Sequence, residues 1–329
     1  MTQTSTTVPA PDVQAQRPEL AVGLSRVGVT GVEKVIRINH GGTEQLFSAR
    51  IECFVDLGPD QKGAHMSRFE EVINEAIGEV IVGGSGFRAE QLAQRAAELV
   101  RERQDARRAE VTIAARYPEH RPAPVSGITT QEIYTLYGIA VAAERGTRRA
   151  VGVAAQGITA CPCAQQLVIE EVRQRLAGEF SEAEIERVID AVPIATHNQR
   201  GLGTLHIGVP ESEPLEIDAA ALLAIVEGSM SSEIYELMKR SDEAAVVIRA
   251  HERPRFVEDC VREMIGGVIA QLPQLPDDAF VSARQENMET IHQHNVLAER
   301  EGTLGELRAE LDSGANPTAK TSLRDWLNA

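Results

Sequence analysis

The stretch Gly157-Ile158-Thr159-Ala160-Cys161-Pro162-Cys163-Ala164-Gln165 holds the residues best suited to chemistry. An apolar run, Ala150–Ala155, leads into it, and a helical pattern over Gln165–Leu176 (Leu167, Val168, Val172, Leu176) leads out. Strand, turn and helix in that order set two thiols near a helix N-terminus, where the partial positive charge favours thiolate. Pro162 fixes φ between the cysteines and removes a backbone donor, so the pair is stiffly aimed. A thiolate held this way is a nucleophile, a redox centre or a soft metal ligand.

Three further clusters are dense in polar groups. Thr196-His197-Asn198-Gln199-Arg200-Gly201 lies between an apolar stretch and a strand. Lys239-Arg240-Ser241-Asp242-Glu243 precedes Val246–Arg249, which reads as extended. In Glu286–Asn295, strand alternation puts His292 and His294 on one face. Cys, His and Glu together suit a divalent transition metal such as zinc, manganese or iron. Such an ion lets a water ionise near neutral pH, which is a hydrolase's requirement. The spacing is not that of a structural zinc site, because no second Cys or His pair accompanies Cys-x-Cys. Cys53 and Cys260 read as small buried hydrophobes, and His120, His206 and His251 as surface or satisfied histidines.

The elements that position these groups recur in order. Residues 1–20 read as a flexible arm. Gly23–Ile38 alternates in two registers, with a bulge expected at Gly31, and Gly41-Gly42 signals a hairpin to Gln45–Leu57. Asp60–Arg68 is a polar turn carrying Lys62, His65 and Arg68. Helices over Phe69–Val82 and Ala89–Arg103 follow, split by Gly83-Gly84-Ser85-Gly86, then a strand at Ala109–Arg116. Strands Gln131–Ala143 and Thr147–Ala155 begin the same order again. Helices Gln165–Leu176 and Ser181–Asp190 come next, the second opened by a Ser181/Glu184 capping box, and then strand Leu202–Val209. Ile217–Gly228 and Val257–Gln271 are helical, and Phe280–Gln285 and Thr290–Ala298 are strands. The division is a first module at 21–125, a second at 126–303 carrying the chemical motifs, and a tail at 304–329, part helical or loose. Helices on one face of an antiparallel sheet make an α+β layer, and association into a homo-oligomer would cover the other face.

Composition bounds the function. With 33 basic and 49 acidic residues the 329-residue chain carries a net charge of −16. That argues against sequence-independent nucleic-acid binding but permits a local basic pocket for an anionic substrate. Aromatics are only 4%, so the core must come from Val, Ile, Leu and Ala. The four cysteines do not form a disulfide framework. No apolar run reaches the roughly 18 residues of a membrane span, and no signal peptide opens the chain; a soluble, cytoplasmic protein without membrane partners is expected.

With these clusters in view, the chain resembles the type IB GTP cyclohydrolases and their archaeal relatives, which open the guanine ring of GTP. The matching stretches are Arg26–Lys34, Lys62–Arg68, Ala160–Cys163, His197–Arg200, Lys239–Glu243, Pro254–Asp259 and Glu286–His294, in the family's order over roughly residues 22–300. The resemblance implies a tunnelling fold of two tandem ββαα modules, whose antiparallel sheet forms a barrel on oligomerisation into a homotetramer with sites at subunit interfaces. It implies Cys161, Glu243 and His292 as ligands of a divalent transition metal, His197 for proton transfer and Glu289 beside the metal's water. Glu258 would anchor the guanine edge, a bidentate match to a carboxylate. Lys62, His65 and Arg68 would meet the triphosphate across an interface.

The implied reaction is hydrolytic opening of GTP to 7,8-dihydroneopterin triphosphate and formate, for folate or pterin synthesis. One departure bears on the product. The long segment Gln165–Ala195 between Cys163 and His197, and the form Ala160–Gln165, resemble the archaeal branch, which makes a 2′,3′-cyclic phosphate and favours ferrous iron. Two other readings stay open: a nitrile reductase of the same fold, with a cysteine nucleophile and a nicotinamide cofactor, and a metal-free purine-binding module.

Overall fold

A computed structural model describes residues 12–40, 43–82, 88–210, 217–314 and 320–329. The Gly41-Gly42 hairpin signal, the Gly83–Gly86 break and the first 11 residues of the arm lie outside the described residues. The chain is α+β and divides into two compact units, one of residues up to Ile113 with Ile139–Thr147, the other of Ala114–Gly138 with Arg148–Ala329.

The first unit follows the expected ββαα order. Strands β1 (Leu24–His40) and β2 (Thr43–Leu57) precede helices α1 (Met66–Val82) and α2 (Ala89–Gln104), and β3 (Arg108–Pro122) comes next. β1 and β2 pair antiparallel with a register shift between Val29 and Val32, where Gly31 takes a φ of +66° that L side chains rarely adopt. Phe69, Val72, Ile73 and Ala76 recur at helical spacing on α1 and are buried, as are Leu92, Ala93, Ala96 and Val100 on α2. Ile51, Cys53, Val55, Val111 and Ile113, on alternate strand positions, are buried as well. Burial pushes the Cys53 thiol up to about 12, as for an inert core sulfur.

The second unit contains the N-terminal part of β4 (Thr129–Ala143) and most of β5 (Gly146–Ala160), followed by α3 (Pro162–Leu176), α4 (Glu182–Ala191) and β6 (Asn198–Pro210). Then come α5 (Ala219–Ser229), the short β7 (Ser232–Glu233), α6 (Arg240–Glu252), α7 (Val257–Gln271), β8 (Phe280–Met288) and β9 (Val296–Thr303). β5, β6, β8 and β9 are successive antiparallel neighbours. The expected order of two strands, two helices and a strand recurs here as β4, β5, α3, α4 and β6, but its two helices bury little. α3 buries only Gln165 and α4 only Ile185, so this pair is an excursion from the sheet. The Ser181/Glu184 capping box forms as expected, with Ser181 N–H donating to Glu184 Oε2 at 2.9 Å. The helices that cover the sheet are α5 and α7, which bury Leu222, Val226, Cys260, Met264 and Val268 toward Leu205, Ile207, Val281 and Ala283. Val246–Arg249, read as extended, lies inside α6.

The two helices described in the tail belong to this unit. Thr303 caps α8 (Leu304–Ser313), and α9 (Leu323–Asn328) buries the lone Trp326, whose Nε1–H donates to Asp278 O at 2.8 Å. Its ring lies 5.6 Å from that of Phe280, and the Arg148 guanidinium lies 4.9 Å from its centroid. No helix among the described residues is long and apolar enough to cross a membrane.

His206 on β6 sits over Gly152 of β5, where an added Cβ would come 2.2 Å from its ring, and its ring centroid is 5.2 Å from that of Tyr137. Burial lowers its pKa to about 4. The unfolded chain therefore binds more protons below the ordinary histidine value of about 6.5, and stability is lost as pH falls from there toward 4. Unfolding midpoints measured across pH 4–7 should show this loss, and His206→Gln should flatten it; an equally steep profile in the variant would refute the assignment.

Candidate active site

Strand register brings the chemical groups together. Ala160 ends β5 opposite Asn198, which begins β6, and Met288 ends β8 opposite Arg200. Cys161, His197 and Glu289 therefore each stand one residue beyond a strand end on the same edge of the sheet. The Cys161 N–H donates to His197 O at 3.1 Å, which joins two of them through the backbone. Thr196 Oγ1 donates to Cys161 O at 2.8 Å. Gln165, one turn into α3, donates to Ile194 O at 2.8 Å and to His251 O at 2.6 Å. The Arg255 N–H donates to Ala160 O at 2.9 Å, which fixes the start of α7 against the end of β5.

A pocket of about 270 Å³ opens at this edge, lined by Cys161, His197, Gln199, Glu258, Asn287 and Glu289, with Arg255–Val257, His292, His294 and Val296 completing its wall. Cys161 is the N-cap of α3 with Pro162 at the first helical position, as the sequence implies; Cys163 is exposed and outside the pocket. Glu258 lies in the first turn of α7, where the helix dipole favours an anion. Asp259 caps that turn by accepting from the Phe256 N–H at 3.1 Å. His292 and His294 share a side as expected, for a different reason: 289–295 is a bend between β8 and β9, not a strand, and the two rings stack at 5.1 Å.

The His197 ring is held from behind. Its Nδ1 lies 3.1 Å from Gln199 Oε1, while Gln199 Nε2 donates to the buried Thr159 Oγ1 at 3.0 Å. Glu289 Oε2 lies 3.8 Å from the same nitrogen. With Gln199 Nε2 donating to Thr159, its Oε1 is left as the acceptor facing Nδ1, which assigns the ring proton there and leaves the lone pair on Nε2. His197 and Gln199 are two residues apart on one strand face, a signal that could have paired them from sequence alone. Asn287 is reachable by the same rule from Glu289.

The pocket's thiol, imidazoles and carboxylates match a divalent transition metal in kind, and the buried Glu289 Oε2 has no hydrogen-bond donor. Among the described residues, though, no three His, Cys, Asp or Glu side chains are grouped to hold an ion. The expected triad is not assembled, because Glu243 does not enter the pocket. Its neighbour Asp242 is the inward residue, accepting from the Val125 and Ser126 N–H groups, the Ser126 hydroxyl and the Lys239 N–H, each within 2.8 Å. Burial alone would raise the Asp242 pKa; these donors outweigh it and hold the carboxyl below the usual range. Glu243, one residue on, is turned outward and exposed. Lys62, His65 and Arg68 belong to the first unit and do not line the pocket. There His65 Nε2 meets Asp12 at 3.1 Å, Arg68 donates to Arg103 O at 2.9 Å, and Lys62 is exposed.

Residues 10–298 match the family described as type I GTP cyclohydrolase folE2. The chain belongs to that family. It is 41% identical over 307 residues to the GTP cyclohydrolase MptA of Methanothermobacter thermautotrophicus, covering 92% of this chain and 96% of that protein. It is 42% identical over 308 residues to the MptA of Methanococcus aeolicus, covering 91% and 99%. Among solved structures it is similar to the uricase of Arthrobacter globiformis, with a TM-score of 0.50, 8% identity, and 92% and 97% of the two chains covered. That likeness concerns the fold alone and agrees with the tunnelling architecture.

In this cyclohydrolase, Gln199→Leu should leave the His197 ring without its neutral acceptor. In a steady-state formate assay kcat should fall about tenfold to hundredfold while KM for GTP moves little, with a smaller fall for Thr159→Val. Equal loss in kcat and KM would point to a general disturbance of the pocket instead.

Proposed function

We propose that this protein hydrolyses the imidazole ring of GTP at C8, releasing formate, and that its product is the 7,8-dihydroneopterin 2′,3′-cyclic phosphate of the archaeal-type enzymes. The observation that carries the activity is the convergence of Cys161, His197, Glu258 and Glu289 in one pocket of a GTP cyclohydrolase family member. Two features favour the cyclic product over the open triphosphate. The relatives named above are MptA proteins, and the chain carries the α3–α4 excursion between its cysteine and histidine motifs.

Glu258 would accept from the guanine N1–H and 2-amino groups and so aim C8 at His197, the positioning part of catalysis. His197 Nε2, with its proton parked on the far nitrogen, would accept a proton as water adds to C8 and return it to the departing ring nitrogen. Phe256, Val257 and Val296 line the same wall and would limit water around the base. A divalent ion would be held by Cys161 and His292, and would supply Lewis acidity. Lys62, His65 and Arg68 would meet the phosphates from a neighbouring copy in a homotetramer. In the rearranged product, attack of the side-chain 2′-hydroxyl on the phosphorus already esterified at the 3′-oxygen would form the cyclic diester and break its bond to the β-phosphate, expelling the other two phosphates as diphosphate.

Incubation with GTP should yield formate and, by phosphorus NMR, a cyclic phosphodiester with free diphosphate. An intact triphosphate ester in the product would return the reaction to the open form, and absence of formate would remove the activity. Chelation should abolish formate release, with recovery on adding zinc, manganese or ferrous iron. Cys161→Ala should lower the metal content of purified protein; a variant with parental metal content would remove Cys161 from the ligand set.

A further inference from the structure

The pocket contains a polar device that neither the metal nor the proton chemistry uses. Asn287 lines it while being only 2% exposed, and its Oδ1 accepts from Gln285 Nε2 at 3.0 Å. Gln285 is wholly buried, and its own Oε1 has no donor. Room for the two amides comes from β6, where Gly201 and Gly203 stand opposite Asn287 and Gln285. A Cβ at Gly201 would lie 2.3 Å from Gln285 Nε2 and 2.9 Å from Asn287 Oδ1, and one at Gly203 would lie 3.0 Å from Gln285 Oε1. An apolar pair would fill this space more cheaply, so a buried amide ladder next to a pocket points to a polar ligand group. With Oδ1 occupied by Gln285, what Asn287 offers the pocket is its Nδ2 donor.

We infer that Asn287 is a specificity-determining residue, donating from Nδ2 to the acceptor edge of the base, guanine O6 and N7. This rests on the GTP reading above. The logic is complementarity: Glu258 is an acceptor for the two adjacent donors of guanine, and the remaining polar edge of that base presents only acceptors. Adenine would set an amino group against the Asn287 donor, an unmatched contact that rejects it. Gln285 is a positioning residue that holds the Asn287 amide in this sense.

The test compares binding of GTP with that of three analogues, each measured by equilibrium titration of chelator-treated protein, in which turnover is arrested. The 6-thio analogue weakens the acceptor at position 6, 7-deaza-GTP removes N7, and ITP keeps both but lacks the 2-amino group read by Glu258. The parent protein should bind at least one of the first two about tenfold more weakly than GTP, the worth of one hydrogen bond. In Asn287→Ala, GTP binding should weaken about tenfold and that preference should vanish, while the GTP-to-ITP ratio stays as in the parent. Asn287→Asp, nearly the same shape, serves if alanine unfolds the protein, and should lose the same preference. If either folded variant keeps the parental preference, or loses affinity equally for GTP and both analogues, the assignment falls. A parent that neither binds nor hydrolyses GTP overturns both readings; one that releases formate while the preference survives in the variants overturns Asn287 alone.

Discussion

The site depends on antiparallel register. β5, β6 and β8 pair so that their ends coincide at Ala160, Asn198 and Met288, and the reactive side chains stand just past those ends. Two backbone bonds complete the frame: Cys161 N–H to His197 O, and Arg255 N–H to Ala160 O, at 3.1 and 2.9 Å. Because side chains alternate faces with a period of two, a slip of one residue would turn Thr159, Gln199 and Asn287 away from the pocket side. Main-chain pairing, enforced along the whole strand, thus sets positions that no local contact among the site residues could fix.

The same sheet face changes character along its length. Leu205, Ile207, Val281 and Ala283 are buried apolar residues beneath α5 and α7. Closer to the pocket the positions become Gly203 and Gly201 on β6, with Gln285 and Asn287 on β8. Core gives way to site within two residues on each strand. A buried acceptor left without a donor, such as Gln285 Oε1, costs about 1–3 kcal/mol. The apolar part of the face must carry that burden, and it places the polar ladder where a ligand can use it.

Local signals were legible in the sequence. The change of register at Gly31, the Ser181/Glu184 box and the thiol ahead of Pro162 each follow from a few neighbouring residues, and each forms as read. Tertiary choices were not. α3 and α4 look as amphipathic as the helices that cover the sheet, and only packing shows that α5 and α7 take that place. Val246-Val247-Ile248 is β-branched, yet it continues a helix started by Asp242, whose carboxylate binds the loop at 125–126. That long-range anchor also decides which acid of Asp242-Glu243 faces inward, a choice that spacing cannot reveal. Trp326 had no sequence partner, since its contacts come from Phe280, Asp278 and Arg148.

Charge separates what the pocket does from what it leaves to other groups. Among the described residues Arg255 is the only lysine or arginine lining it, and its guanidinium is already committed to Ser229 O at 2.7 Å and to Glu263 at 3.2 Å. Glu258 and Glu289 set two carboxylates against that one cation, within a chain of net charge −16. Such a surface is built for the donors and acceptors of a neutral heterocycle, and it repels a triphosphate. On the proposed reading, the base would be read inside this pocket while the phosphates would be neutralised by positive charge from outside it. Those two tasks fall on different residues, so base selectivity and phosphate affinity can vary independently within the same fold.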